Sequence, residues 1–154
     1  MSSTLQNLSQ ALADSLAACT WTSVTDPVTV QRANWPSFDV EDLVNPVIAV
    51  TPPGYDVERI GRTAHQYDYQ ASVFIGRHTP TDAGADAMVS LLEEVVDAIA
   101  AHQWATLTPG VTWPTGITSP QTIQVTMNPD EALQERNVWR AVVMVTYRIG
   151  KAHA

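Results

Sequence analysis

The stretch Tyr67 to His102, YDYQASVFIGRHTPTDAGADAMVSLLEEVVDAIAAH, decides the fold. In its first nine residues Tyr67, Tyr69, Ala71, Val73 and Ile75 share one parity while Asp68, Gln70 and Ser72 take the other, the period of a half-buried strand. Only Phe74 interrupts the polar set. Gly76-Arg77-His78-Thr79-Pro80 ends the strand, and Thr79 or Thr81 can cap a helix whose first turn suits Pro80. Met88, Leu91, Leu92, Val95, Val96 and Ile99 then recur at spacings of three and four, with Asp86, Ser90, Glu93, Glu94 and Asp97 opposite. Asp82 and Asp86 near the start and His102 at the end complement the helix dipole.

An apolar helical stripe needs a sheet to lie on. The best partner is VWRAVVMVTYRI, Val138 to Ile149, where Trp139, Ala141, Val143, Val145, Tyr147 and Ile149 share one parity. Leu5, Leu8, Leu12 and Leu16 line a first helix with Ser2, Ser3 or Thr4 as its cap. Short strands are expected at Val28 to Arg32 and at Val47 to Val50, the second ended by Pro52-Pro53-Gly54, with a helical turn over 37–43 between them. Residues 54–66 read as a long polar connection or as the tip of an extended hairpin. Thr122 to Met127 alternates as a strand, and a short helical turn over 131–136 precedes the last strand. The expected fold is α+β, a mainly antiparallel sheet with two helices packed on one face, in a single domain spanning 1–154.

Composition narrows the function. The chain has 154 residues, 45% of them hydrophobic and 16% charged, which predicts a folded soluble domain. No run of about twenty apolar residues could span a bilayer, and the N-terminus lacks the pattern of a secretory signal. Asp and Glu outnumber Lys and Arg by 16 to 8, so the net charge of −8 argues against a basic phosphate-binding footprint, while leaving room for a local Arg patch. Cys19 is the single cysteine, which excludes an internal disulfide and fits a reducing compartment.

Catalytic signatures are absent: there is no G-x-G-x-x-G, P-loop, H-E-x-x-H or G-x-S-x-G. A metal pair of His65 and His78 would need the two to meet across a turn, and ordinary loop histidines are the expectation. Cys19 is expected in the core, and Glu93, Glu94 and Asp97 on a solvated helix face. No catalytic residue, metal or cofactor is therefore predicted. Contact surfaces are. Arg136, Arg140 and Arg148 stand out: Arg140 and Arg148 lie on the parity opposite the core, and Val138, Val142 and Met144 share that parity with them, a mixture that suits a subunit interface or cover by crossing strands. The Pro- and Trp-rich segment from Gln103 to Pro120 carries Trp104, Trp113 and Ile117, either folded back over the sheet or offered to a partner. Arg59 and Arg62 occupy the exposed connection, as partner contacts or as a solvated tip.

Taken in order, the N-terminal helix, WPSFDVEDLVNPVIAVTP, YDYQASVFIGRHTP running into an acidic amphipathic helix, and the ending ERNVWRAVVMVTYRI resemble the tail terminator, or tail-completion, proteins of long-tailed bacteriophages. The resemblance covers most of the chain and rests on layout, with no invariant motif; the 103–120 segment matches nothing in it. It implies a non-catalytic homo-oligomeric ring, commonly of six subunits. Such a ring sits in the neck of a virion, binds the tail tube protein on one side and the head-completion connector on the other, and lets DNA pass without specific binding. Six copies at −8 each would carry −48, which repels DNA from the channel wall. Another head–tail adaptor or minor tail protein would share this layout. Outside that class, a small enzyme or ligand-binding domain would need a constellation that the sequence does not offer.

Overall fold

Ser3 sets the start of the first helix: its hydroxyl accepts a hydrogen bond from the Gln6 amide at 3.0 Å, and α1 runs Thr4–Ala17. The computed structural model describes residues 3–34, 43–101, 111–117, 120–127 and 137–152. The turns expected over 37–43 and 131–136 therefore lie outside the described residues, apart from Leu43. After α1 come β1 (Thr29–Arg32), β2 (Val47–Arg59), β3 (Ala64–His78), α2 (Asp82–Ala101), β4 (Thr122–Met127) and β5 (Val138–Ala152). The five strands form one sheet in the order β1-β2-β3-β5-β4.

The fold class is α+β, as the periodicities predict. α1 lies over β1 and β2, and α2 over β3 and β5, on the same face of the sheet. Leu8, Leu12 and Leu16 from α1 meet Ile48, Val50, Val73 and Ile75, while Met88, Leu91, Val95 and Ile99 from α2 share that core with Ala141, Val143, Val145 and Tyr147. Burial of Ser9 leaves no orphaned hydroxyl, because it donates to the Leu5 carbonyl at 2.9 Å. The second helix begins at Asp82, two residues after Pro80, since Thr81 supplies the cap: its hydroxyl accepts from the Gly84 amide at 3.1 Å.

Four strands differ from expectation. β1 pairs with β2 in parallel, Thr29 against Val47 through Arg32 against Val50, although the sheet is otherwise antiparallel. The connection from Ala33 to Pro46 has the dozen or so residues that a parallel crossover needs. β2 does not end at Pro52-Pro53-Gly54; it continues to Arg59, with a register shift between Thr51 and Gly54. Both prolines follow the last β1 pair, on the open margin of the sheet, where a missing N–H removes no ladder bond and a bulge is tolerated. β3 and β5 also run further than their hydrophobic patterns, pairing from Ala64 against Ala152 to His78 against Val138.

Phe74 has a physical reason to break the alternation. It faces away from the helices and forms a second small core with Leu43, Val47, Ala49 and Val138. Its ring lies over Gly76, where an added Cβ would come within 2.6 Å of the ring. Opposite the end of β3, Asn137 turns the chain into β5 with φ 58°, a left-handed conformation that asparagine tolerates, and its carbonyl accepts from the Thr79 amide at 2.8 Å.

Candidate interaction surfaces

Extension of β2, β3 and β5 beyond β1 and β4 produces a three-stranded arm, built from residues 54–59, 64–70 and 147–152, with a tip at 60–63. At about 3.3 Å per residue the arm is roughly 20 Å long. The 54–66 segment is thus the extended hairpin of the two alternatives. On the helix side of the arm Tyr55, Tyr67 and Tyr69 cluster, with ring centroids 5.2 Å apart for Tyr55–Tyr69 and 5.8 Å for Tyr67–Tyr69. The Lys151 ammonium donates to the Tyr69 hydroxyl at 2.6 Å and lies 4.5 Å from the Tyr67 ring centre. Towards the tip Val57 and Ile60 are 48% and 57% exposed. Arg59 Nε donates to the Gly61 carbonyl at 2.9 Å, so this guanidinium braces the turn, while Arg62 is exposed beside it. On the reverse side Arg148 grips Asp68 through two bonds, of 2.9 and 3.3 Å.

At the other margin of the sheet, α2 stops short of covering β4. A groove of 400 Å³ separates them, lined by Val89, Leu92 and Val96 of α2 and by Val125 and Met127 of β4, with Glu93 and Asp97 on its rim. Val125 and Met127 are 44% and 51% exposed although they point to the helix side.

The face opposite the helices is more closed than the sequence implies. Arg140 sits 5.4 Å above the Phe74 ring, a cation over an aromatic face, and covers the second core. Met144 is half-buried between its cross-strand neighbours Ser72 and Gln124. Trp113 and Ile117 turn inward: Ile117 belongs to the main core, and Trp113 packs on it with its ring 5.9 Å from that of Tyr147. Their apolar area is largely spent on this chain's own interior. Between Trp113 to Thr115 and the Asn7, Gln10 and Asp14 side of α1 lies a wide polar groove of 670 Å³. Trp104 lies outside the described residues.

Among the titratable groups, Glu94 departs from the solvated face expected for it. Its carboxylate accepts from the Thr22 amide at 3.0 Å, from the Thr22 hydroxyl, and from the Ser23 amide at 3.1 Å, tying the segment after α1 to α2. Desolvation pushes its carboxyl up, but these hydrogen bonds outweigh it and hold the group below its ordinary value. Arg77 makes a parallel tie from the end of β3 to Asp26. Cys19 follows α1 half-buried, outside the core expected for it; burial raises its thiol, which donates to the Ser15 carbonyl at 3.3 Å. His65 and His78 stand near opposite ends of β3, thirteen residues and therefore about 40 Å apart, which rules out a shared metal. Among the described residues no three of His, Cys, Asp and Glu come together as a metal site, and no helix is long and apolar enough to cross a membrane.

The structure thus brings Arg59 and Arg62 together at one tip, places Arg140 and Met144 on the reverse face, and turns Trp113 and Ile117 inward. The α2–β4 groove is not evident from the sequence, although Val89 and Val96 on the flank of the helical stripe carry its signal. No protein-family model matches the sequence, and no curated protein does either. Among solved structures, a chain of the virion of a native gene transfer agent particle superposes with a TM-score of 0.61 at 14% identity. The match covers 94% of this chain and 95% of that one, so the likeness is one of whole fold, from first helix to last strand.

Proposed function

We propose that the chain is a structural, non-catalytic subunit of a phage-like particle, and within it a tail terminator. In this role several copies, six by analogy with the resembling family, form a ring on the proximal end of the tail tube. The ring contacts the tube protein on one side and the head-completion connector on the other, and DNA passes through without specific binding. The protein would reside in the virion neck after assembly in the host cytoplasm. The observation that carries this is the end-to-end fold likeness to a chain of a gene transfer agent virion, with almost no unmatched length in either chain. The order of elements, which resembles the terminator family, adds the finer position.

Deleting the gene from the particle's genome and imaging the products tests the position. Heads and tails that fail to join, or tails of abnormal length, are expected. Intact particles of normal tail length would refute the terminator role, and tails of normal length still attached to heads that leak DNA would favour a connector instead.

A further inference from the structure

Among the described residues, five of the six exposed large hydrophobic side chains fall in two places. Tyr55, Val57 and Ile60 are on the arm and its tip, and Val125 and Met127 are in the α2–β4 groove. The two places are on different margins of the sheet, β2 belonging to one and β4 to the other. Their charges are opposite. The helix side of the arm and its tip present Arg59 and Arg62, because Arg59 shares the side of Val57 and Tyr55, whereas Asp56 and Glu58 point to the reverse. The groove rim presents Glu93 and Asp97, both exposed.

We propose that the arm tip of one copy docks into the α2–β4 groove of the next, head to tail. Ile60 and Val57 enter between Val89, Val96, Val125 and Met127, and Arg59 and Arg62 pair with Glu93 and Asp97. Groove against groove would set carboxylates against carboxylates, and tip against tip would set guanidiniums against guanidiniums, so neither surface suits a copy of itself. A contact between two different patches of the same chain is heterologous, and its repetition either closes a ring or grows a filament. A volume of 400 Å³ falls within the range of about 300–1,000 Å³ typical of filled binding pockets, enough for a few aliphatic side chains. The inference rests on the ring reading and adds which surfaces meet.

The test is a charge exchange on the full-length chain, read by sedimentation velocity. One variant carries Arg59→Glu with Arg62→Glu, and a second carries Glu93→Arg with Asp97→Arg. All four positions are exposed, and circular dichroism with a thermal melt checks that both variants fold. Each variant alone should assemble at least 10-fold more weakly than the wild-type chain. An equimolar mixture should recover assembly, since each tip then finds a groove of opposite sign only on the other variant. Wild-type assembly should also weaken as salt is raised, through screening of these pairs. Variants that assemble alone as well as the wild type, or a mixture no better than its parts, would overturn the docking and leave the ring reading standing. A wild-type chain that stays monomeric at all concentrations would overturn both.

Discussion

Leu91 and Leu92 are neighbours on α2 that the structure treats differently, and their truncation to alanine separates a closed core position from one at the lip of a groove. Leu91 is fully buried, whereas Leu92 is 4% exposed and lines the α2–β4 groove. Removing three carbons from either costs about 2.4 kcal/mol of transfer free energy at about 0.8 kcal/mol per methylene. At Leu91 the vacated space is enclosed by Met88, Val95 and the β5 side chains, so a cavity of roughly 70 Å³ adds about 1.5–2 kcal/mol at ~24 cal/mol per Å³. The expected loss there is about 4 kcal/mol, or a fall in Tm of about 8–16 °C for a chain of this size. At Leu92 the space opens into the groove, little enclosed void is created, and about 2–2.5 kcal/mol is expected. Urea denaturation monitored by tryptophan fluorescence measures both, with unchanged m-values as the control for two-state behaviour. A loss below about 1 kcal/mol for Leu91→Ala would refute the packing of α2 on the sheet. Equal losses at the two positions would refute the groove.

Glu94→Gln should lower stability at pH 7. Because the folded carboxyl lies below its ordinary value of 4.5, its contribution is present above that value and is lost as pH falls through the lower, folded one. The difference between wild type and variant in urea midpoints should therefore shrink below about pH 4.5 and vanish in stronger acid, and a difference independent of pH would count against the tie to Thr22 and Ser23. Gly76→Ala should cost about 1–3 kcal/mol in the same melt, since its Cβ would fall 2.6 Å from a Phe74 ring that Leu43, Val47 and Val138 hold in place. Combining it with Phe74→Leu should recover part of that loss. Trp113→Ala should destabilise by about 2–4 kcal/mol, because the ring packs on the main core and against Tyr147, and a variant with wild-type stability would mean that this side chain serves a partner contact instead.

The sequence by itself determined the two helices, the strands and the fact that both helices share one face of a sheet. Those properties are written in local periodicity: spacings of three and four from Leu8 to Leu16 and from Met88 to Ile99, and alternation from Tyr67 to Ile75 and from Trp139 to Ile149. The β2 arm also alternates, as Tyr55-Asp56-Val57-Glu58, but two prolines before it look like a stop; only the sheet order shows that they lie on an open margin where a proline is harmless. Strand direction is likewise invisible locally, so the parallel pairing of β1 emerged from the path of the chain. Phe74 breaks the alternation because Leu43 and Val138, remote in sequence, meet it on the reverse face. Trp113 and Arg140 were legible as apolar or charged residues in unusual company, but whether they face a partner or their own chain depends on neighbours that only the tertiary structure supplies. The same holds for Glu94 and Glu93: adjacent carboxylates on one helix, of which one is recruited by the amides of Thr22 and Ser23 and the other is left on the rim of the groove, because burial and hydrogen bonding are properties of position in space.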